Sequence, residues 1–174
     1  MSQTILPNIT ILVVVVGTKG AGKSTIARRL VEYGFSVRAT SDSIREQLAQ
    51  SGITQPTVDQ LITEGNRGRR EHYLAYWTVR AVETMRSQGA RYMLVEGMRH
   101  PGEVKKLRQM MQQMTPRGLF FTLGVDAPIM TRYKRFRDRA RSGDPITLED
   151  FIQLDDRDRG HGDPQEPSDG QQVD

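Results

Sequence analysis

Short apolar runs alternate along the chain with segments of helical periodicity. Ile9–Val16 is almost continuously apolar and rich in β-branched residues, which is typical of a strand covered on both faces. Phe35–Ala39, Tyr92–Glu96 and Leu119–Val125 predict three further strands. Each strand is followed by a segment whose apolar residues recur at helical spacing. This alternation predicts an α/β fold with right-handed crossovers and a parallel sheet of four strands.

Capping and stop residues set the bounds of the predicted helices. The helices are expected at Ser24–Tyr33, from Thr40 or Ser41 to Gln50, and at Pro56–Glu64, Gly68–Ser87, Pro101–Gln113, Asp126–Arg141 and Thr147–Arg159. Trp77 lies on the apolar stripe of the long fourth helix. We therefore expect its indole to pack in the core or at an interface rather than to bind a ligand.

The length of 174 residues predicts one domain, which we place at residues 1–159. Residues 160–174 contain four acidic side chains, no Lys or Arg and almost nothing apolar, so we expect a disordered acidic tail. Without that tail the chain has 25 basic and 17 acidic residues. A basic body suits phosphorylated small molecules or nucleic acid as partners.

The sequence indicates neither a membrane-spanning protein nor one stabilised by disulfide bonds. No run approaches the roughly 20 apolar residues that cross a membrane, and nothing at the N-terminus resembles a signal peptide. Cysteine is absent, which leaves no disulfide framework and no thiolate metal site. We therefore expect a cytoplasmic protein with no membrane partner.

The loop after the first strand matches the Walker A pattern G-x-x-x-x-G-K-[ST], with a strand before it and a helix after it. Such a P-loop predicts nucleotide binding, because its glycines let backbone N–H groups converge on phosphate oxygens. Lys23 is expected to reach the β- and γ-phosphates of ATP and to be catalytic, and the Ser24 hydroxyl to ligate Mg²⁺. The predicted nucleotide-binding residues are Gly17, Thr18, Lys19, Gly20, Ala21, Gly22, Lys23, Ser24 and Thr25.

Arginines recur where phosphoryl transfer needs cations beyond the lysine and the metal ion. Arg45 lies on the helix after the second strand, and Arg99 follows the carboxyl end of the third strand, where open α/β sheets bind ligands. Arg132, Arg135 and Arg139 share one face of the helix after the fourth strand, with Arg141 beyond them. For Arg132 and Arg135 a solvated helix face is an equal alternative.

Carboxylates accompany these arginines. Glu96 ends the third strand, where P-loop proteins place an acid, so we expect it to orient Mg²⁺ through water or to contact the substrate.

His72, His100 and His161 have no spacing typical of metal ligands and are expected at the surface.

The chain resembles the nucleoside monophosphate kinases. Ser41–Arg45 is similar to the Gly-Asp-x-x-Arg segment of adenylate kinases, whose arginine holds the acceptor phosphate, and Glu96–Arg99 is similar to their Asp-Gly-x-x-Arg strand end. The resemblance implies that Asp42, Arg45, Glu96 and Arg99 bind the acceptor, with Arg99 also catalytic. It further implies a P-loop NTPase-type fold of three layers with a helical lid.

A closer resemblance is to the dephospho-CoA-kinase-like and deoxynucleoside-monophosphate-kinase-like group. Glu96–Val104 matches the strand end and following Glu-Val pair of that group, and Arg139–Pro145 matches its lid, although Gly143 stands where the group has an acid. A later Phe-x-x-x-Asp-x-Arg pattern is met by Phe151, Asp155 and Arg157. The resemblance implies that the lid residues Arg139 and Arg141 close over the transferring phosphoryl group.

The resemblance covers residues 9–159, and it departs from the group at the end of the chain. Such kinases continue into a fifth strand and a C-terminal helix, whereas no apolar run follows Ile152 here. The chain is therefore expected to be either a fragment of a longer protein or a shortened relative with a poorer base site.

The leading hypothesis is an ATP- and Mg²⁺-dependent kinase that acts on a small phosphorylated acceptor, a nucleoside or deoxynucleoside monophosphate. The alternatives are a nucleotide-binding regulatory domain with little turnover and an activity like that of dephospho-CoA kinase. A nucleic-acid partner is disfavoured, because the basic run Arg67–Arg70 has no interleaved aromatic residues and no recognised nucleic-acid motif.

Overall fold

A computed structural model describes residues 9–98, 100–114, 118–139 and 147–158. Four strands form one sheet in the order β2-β3-β1-β4, and every neighbouring pair is parallel. The strands are β1 (Ile11–Val16), β2 (Ser36–Ala39), β3 (Tyr92–Glu96) and β4 (Leu119–Gly124). The predicted parallel α/β sheet is confirmed, and its strands begin and end within two residues of the expected positions.

Seven helices accompany the sheet in the described part of the chain. They are α1 (Lys23–Val31), α2 (Thr40–Gln50), α3 (Val58–Glu71), α4 (Tyr76–Ser87), α5 (Pro101–Gln112), α6 (Ile129–Arg139) and α7 (Leu148–Asp158). Thr147 begins α7 as predicted, because its Oγ1 accepts a hydrogen bond of 3.1 Å from the N–H of Asp150. Thr57 begins α3 in the same way, with Oγ1 bonded to the N–H of Gln60 at 3.3 Å.

The predicted break between the third and fourth helices was wrong in position. Helix α3 continues through Gly65 and Gly68 to Glu71, and the chain turns only at residues 72–75. The two glycines do not end the helix; they make room for Trp77. The indole Nε1 donates to the Gly65 carbonyl at 3.0 Å, and a Cβ on Gly68 would lie 2.4 Å from the indole ring. The side chain of Trp77 is 1% exposed, so its predicted packing role is confirmed.

Side chains from both faces of the sheet are buried beneath helices, which gives the predicted three layers. On one face Leu12, Val14, Met93 and Val95 pack with residues of α4 and α5. On the other face Val15 and Leu94 pack with Ala27 and other residues of α1. Within the described residues, none of the helices is long and apolar enough to cross a membrane.

Candidate active site at the carboxyl edge of the sheet

The loop between β1 and α1 has a backbone that only glycine tolerates at three positions. Gly17, Gly20 and Gly22 have positive φ angles of 142°, 76° and 118°. A Cβ on Gly17 would lie 2.0 Å from the carbonyl oxygen of Val125, so the loop lies directly against the segment that follows β4. The glycines of the Walker A pattern are thus required by the conformation as well as by the expected contact with phosphate.

Lys23 folds back over this loop. Its Nζ donates to the carbonyl oxygens of Gly17 at 2.6 Å and Thr18 at 2.9 Å. The side chains of Ser24 and Thr25 are exposed in the first turn of α1. Since the helix begins at Lys23, its positive dipole end and an exposed hydroxyl lie at the place predicted for the phosphates and Mg²⁺.

Glu96 lies at the centre of the carboxyl edge. It is in register with Val15 of β1 on one side and with Ala39 of β2 on the other. Its carboxylate is half-buried, and within the described residues Oε2 has no hydrogen-bond partner although the atom is buried. Burial raises the pKa of Glu96, Lys23 lowers it, Asp42 raises it, and a hydrogen bond with Ser24 lowers it. The structure therefore brings Glu96, Lys23, Ser24 and Asp42 together.

These residues fit a magnesium ion shared with a nucleotide. Mg²⁺ prefers hard oxygen ligands and is usually bound by one or two protein groups together with phosphates and water. Ser24 supplies a hydroxyl, and Glu96 supplies a buried carboxylate oxygen that no other described residue bonds. Among the described residues, no group of three or more acidic, His or Cys side chains is placed to hold a metal ion by itself.

The start of α2 lies beside this cluster. Asp42 caps the helix, since its Oδ2 accepts from the N–H of Ala39 at 2.8 Å. Arg45 is half-exposed; its Nη1 donates to Ser41 Oγ at 2.9 Å and lies 3.7 Å from Asp42 Oδ1. Asp42 thus has a structural role that the sequence analysis did not assign to it, in addition to its predicted place near the acceptor.

The turn after β3 closes against α2. Thr40 Oγ1 donates to the Glu96 carbonyl at 3.2 Å, and a Cβ on Gly97 would lie 3.6 Å from the Thr40 nitrogen. Arg99 lies outside the described residues. Its predicted role in acceptor binding therefore stays a prediction.

Arg132 and Arg135 of α6 both bond other groups of the protein. Arg132 is 2% exposed, and its guanidinium forms a two-pronged ion pair with Asp155 of α7, with Nη2 and Oδ2 at 2.8 Å. Arg135 donates from Nη1 to the carbonyls of Gly20 and Ala21, both at 2.8 Å. Arg132 is therefore buried rather than on a solvated helix face, whereas Arg135 is exposed and also bonds the P-loop.

The two predicted lid arginines are described only in part. Arg139 is exposed, and its guanidinium lies 3.7 Å from the centre of the Phe136 ring. Arg141 lies outside the described residues, as does the tail at residues 160–174. Sequence reasoning quoted Phe151 and Asp155 only as part of a resemblance. The structure shows that both are buried beside α6, so the Phe-x-x-x-Asp spacing was the signal for this contact.

The chain is similar to a protein family, to individual relatives and to solved structures. A family model described as an AAA domain matches residues 12–157. The chain is similar to a UPF0200 protein of Hyperthermus butylicus, with 30% identity over 152 residues that cover 87% of this chain and 77% of the relative. It is similar to a sugar kinase from Janibacter sp. with 21% identity, a TM-score of 0.47, and coverage of 90% and 82% of the two chains. It is also similar to a chain of an RNA repair complex, with 15% identity and a TM-score of 0.44, covering 94% of this chain and about half, 49%, of that one.

The family match includes the glycine-rich loop, all four strands and the helix that carries Asp155. The parallel sheet and the loop geometry agree with it. The chain therefore belongs to this AAA domain family.

Proposed function

We propose that the protein transfers the γ-phosphoryl group of ATP to a small phosphorylated acceptor, a nucleoside or deoxynucleoside monophosphate. One observation carries the proposal: the P-loop and the start of α2 meet at Glu96, on the carboxyl edge of the sheet. A nucleotide on the loop and an anion beside Arg45 would therefore share one site. Open α/β sheets bind their ligands at this edge.

The donor half of the site is the loop Gly17–Ser24 with Lys23 and the first turn of α1. Lys23 now donates to two loop carbonyls, and in our proposal its ammonium group turns to the β- and γ-phosphates when ATP binds. Magnesium bound with ATP would neutralise phosphate charge, held by Ser24 directly and by Glu96 through water. Lys19, inside the loop, and Thr25, directly after it, would be auxiliary nucleotide contacts.

The acceptor half of the site consists of Asp42, Arg45, Glu96 and Arg99. Guanidinium groups bind phosphate through two parallel hydrogen bonds, so arginines from two elements would fix both the position and the direction of the acceptor. The attacking oxygen of a phosphate is already anionic and needs no general base. In the proposal these side chains position the acceptor phosphate by their charge. Arg139 and Arg141, as the lid, stabilise the negative charge of the transferring phosphoryl group.

The test is a phosphoryl-transfer screen with Mg²⁺ and ATP against nucleoside and deoxynucleoside monophosphates, repeated with dephospho-CoA. Transfer to a monophosphate that is lost in Lys23→Ala supports the proposal. Transfer to dephospho-CoA alone would replace it with a CoA-directed kinase. ATP binding with no transfer to any acceptor would indicate a regulatory nucleotide-binding domain.

The acceptor arginines give a second test by calorimetry. Arg45→Lys and Arg99→Lys should weaken binding of the monophosphate by about 1.5–3 kcal/mol, because lysine cannot form the two-pronged contact. ATP affinity should stay nearly unchanged, since its phosphates lie on the loop. Equal losses of ATP and acceptor would contradict the division of the site into two halves.

A further inference from the structure

Five consecutive carbonyl groups of the P-loop face cationic side chains. Lys23 binds the carbonyls of Gly17 and Thr18, at 2.6 and 2.9 Å. Arg135 binds those of Gly20 and Ala21, both at 2.8 Å. The carbonyl of Lys19, between them, lies 3.4 Å from Nη1 of Arg132. Two of the three cations therefore come from α6, more than 110 positions later in the chain.

The direction of a carbonyl determines the direction of the next amide. A trans peptide is planar, so the C=O of one residue and the N–H of the next point to opposite sides. Where a carbonyl is held toward α6, the following N–H must point away from α6. The N–H of Ala21 donates to the Thr18 carbonyl at 3.3 Å and is used within the loop. The amides that this geometry directs toward a ligand are therefore those of Gly20 and Gly22. Their amides are thereby directed to the phosphate side of the loop.

Helix α6 can hold these carbonyls only because it is itself held in place. A Cβ on Gly20 would lie 3.0 Å from the Phe136 ring and 3.2 Å from the Cβ of Arg132, so α6 packs directly on the loop. Behind it, Asp155 binds both terminal nitrogens of Arg132, and Phe151 packs on Phe136 with ring centres 4.9 Å apart. Arg132 also donates from Nε to the Ala127 carbonyl at 2.9 Å, which ties the start of α6 to the same guanidinium.

We propose that Arg132 and Arg135 are positioning residues, which preorganise the P-loop for phosphate by holding its carbonyls outward, and that Asp155 holds Arg132 for this task. The inference rests on the proposed nucleotide binding at the loop and adds the residues that control its shape. In this inference the two arginines bind the loop carbonyls rather than the phosphates of the ligand. An arginine that binds phosphate directly would need to leave these carbonyls, and Arg132 would also have to break its buried ion pair with Asp155.

The first experiment uses Arg135, whose side chain is exposed enough for substitution without loss of the fold. Binding of ATP, ADP and pyrophosphate, each with Mg²⁺, is measured by calorimetry for wild type, Arg135→Ala and Arg135→Lys. We expect Arg135→Ala to weaken all three ligands by a similar factor, roughly tenfold, the loss of about one or two hydrogen bonds. Arg135→Lys should restore most of the affinity, because an ammonium group can bind two adjacent carbonyls as Lys23 does.

The matched control is Arg137→Ala on the same helix. Arg137 has the same charge and is exposed, and its guanidinium lies 5.9 Å from the centre of the Tyr133 ring rather than on the loop. This control should leave all three affinities within about twofold of wild type. An Arg135→Ala variant that loses ATP but keeps ADP would identify a γ-phosphate ligand and overturn the inference. So would equal losses in Arg137→Ala, which would indicate a general effect of charge.

The second experiment separates positioning from stability at the buried pair. Asp155→Leu alone removes the buried carboxylate that pairs with the Arg132 guanidinium and is expected to destabilise the protein strongly. The double variant Arg132→Met with Asp155→Leu replaces the pair by apolar side chains of similar size, which often preserves stability. We expect its urea midpoint to be close to that of wild type and its affinity for ATP, ADP and pyrophosphate to fall at least threefold.

The outcomes distinguish this inference from the function on which it rests. A wild type that binds none of the three ligands overturns the proposed function, and the inference with it. A wild type that binds, with a stable double variant of unchanged affinity, shows that the ion pair only stabilises the fold. If the double variant unfolds, Arg135→Ala and Arg135→Lys decide the question, because they test bonds to carbonyls of the same loop in a folded protein.

Discussion

Gly68→Ala gives the most direct test of how α3 packs on α4. Gly68 lies in α3 against the indole of Trp77, and an added Cβ would lie 2.4, 2.5 and 2.6 Å from three of its ring atoms. Carbon atoms in contact are about 3.5–4.0 Å apart, so the indole must move by roughly 1 Å. The movement also strains the hydrogen bond of 3.0 Å from Nε1 to the Gly65 carbonyl.

The expected change in the free energy of unfolding combines one stabilising and two destabilising contributions. Alanine in place of glycine favours the helix by about 1 kcal/mol. Overpacking of a well-filled core costs about 1–3 kcal/mol, and leaving a buried donor unsatisfied costs about 1–3 kcal/mol. The net destabilisation should therefore be about 3 kcal/mol, which lowers Tm by roughly 6–12 °C in a domain of this size.

The assay is urea denaturation followed by tryptophan fluorescence. Trp77 is the only tryptophan in the chain and is buried, so its emission reports unfolding directly. The control is Gly65→Ala on the same helix, where the new Cβ would lie 3.2 Å from the terminal methyl of Ile44, a flexible group that can move. We expect the control to stay within about 1 kcal/mol of wild type. If the two variants are equally stable, the described packing of α3 on α4 is wrong.

Three further predictions concern the site and the tail. Glu96→Gln should stabilise the nucleotide-free protein, because burial raises the pKa of the Glu96 carboxyl and so opposes its ionised form. In wild type, the stability that this carboxyl contributes is present below its pKa in the unfolded chain and is lost as pH rises through its pKa in the folded protein. The same variant should lose roughly 10²-fold in kcat, measured in the transfer assay, while urea titrations across pH follow stability. Arg139→Ala should lower kcat by roughly 10²-fold and change KM less, as steady-state kinetics would show. Deleting residues 160–174 should change the free energy of unfolding by no more than about 0.5 kcal/mol, measured in urea.

Each of these predictions has a contrary result. A Glu96→Gln variant that is less stable than wild type at neutral pH, without nucleotide, would mean that the carboxylate is paired. A rise in KM alone for Arg139→Ala would make this arginine a substrate clamp rather than part of a lid. A loss of several kcal/mol on removing the tail would show that residues 160–174 pack on the domain.

The sequence by itself determined the features that depend on neighbours along the chain. The apolar run of β1, the Walker A loop and the cap at Thr147 were all predicted, and all agree with the structure. Glu96 was predicted correctly at the edge of the sheet, because the carboxyl ends of parallel strands must lie together. These features are local, since a strand, a turn or a cap is decided by a few consecutive residues.

The tertiary structure decided which groups meet across long separations. The break predicted between Glu64 and Gly68 is absent, because Trp77 packs on the helix there from α4. Arg132 was equally consistent with a phosphate ligand and a solvated face, and Asp155, 23 residues later, pairs with it in the interior. An ion pair of this kind depends on where the packed sheet places α6, α7 and the loop. Helical spacing predicts which residues share a face, but only the packing of the whole domain decides what that face contacts.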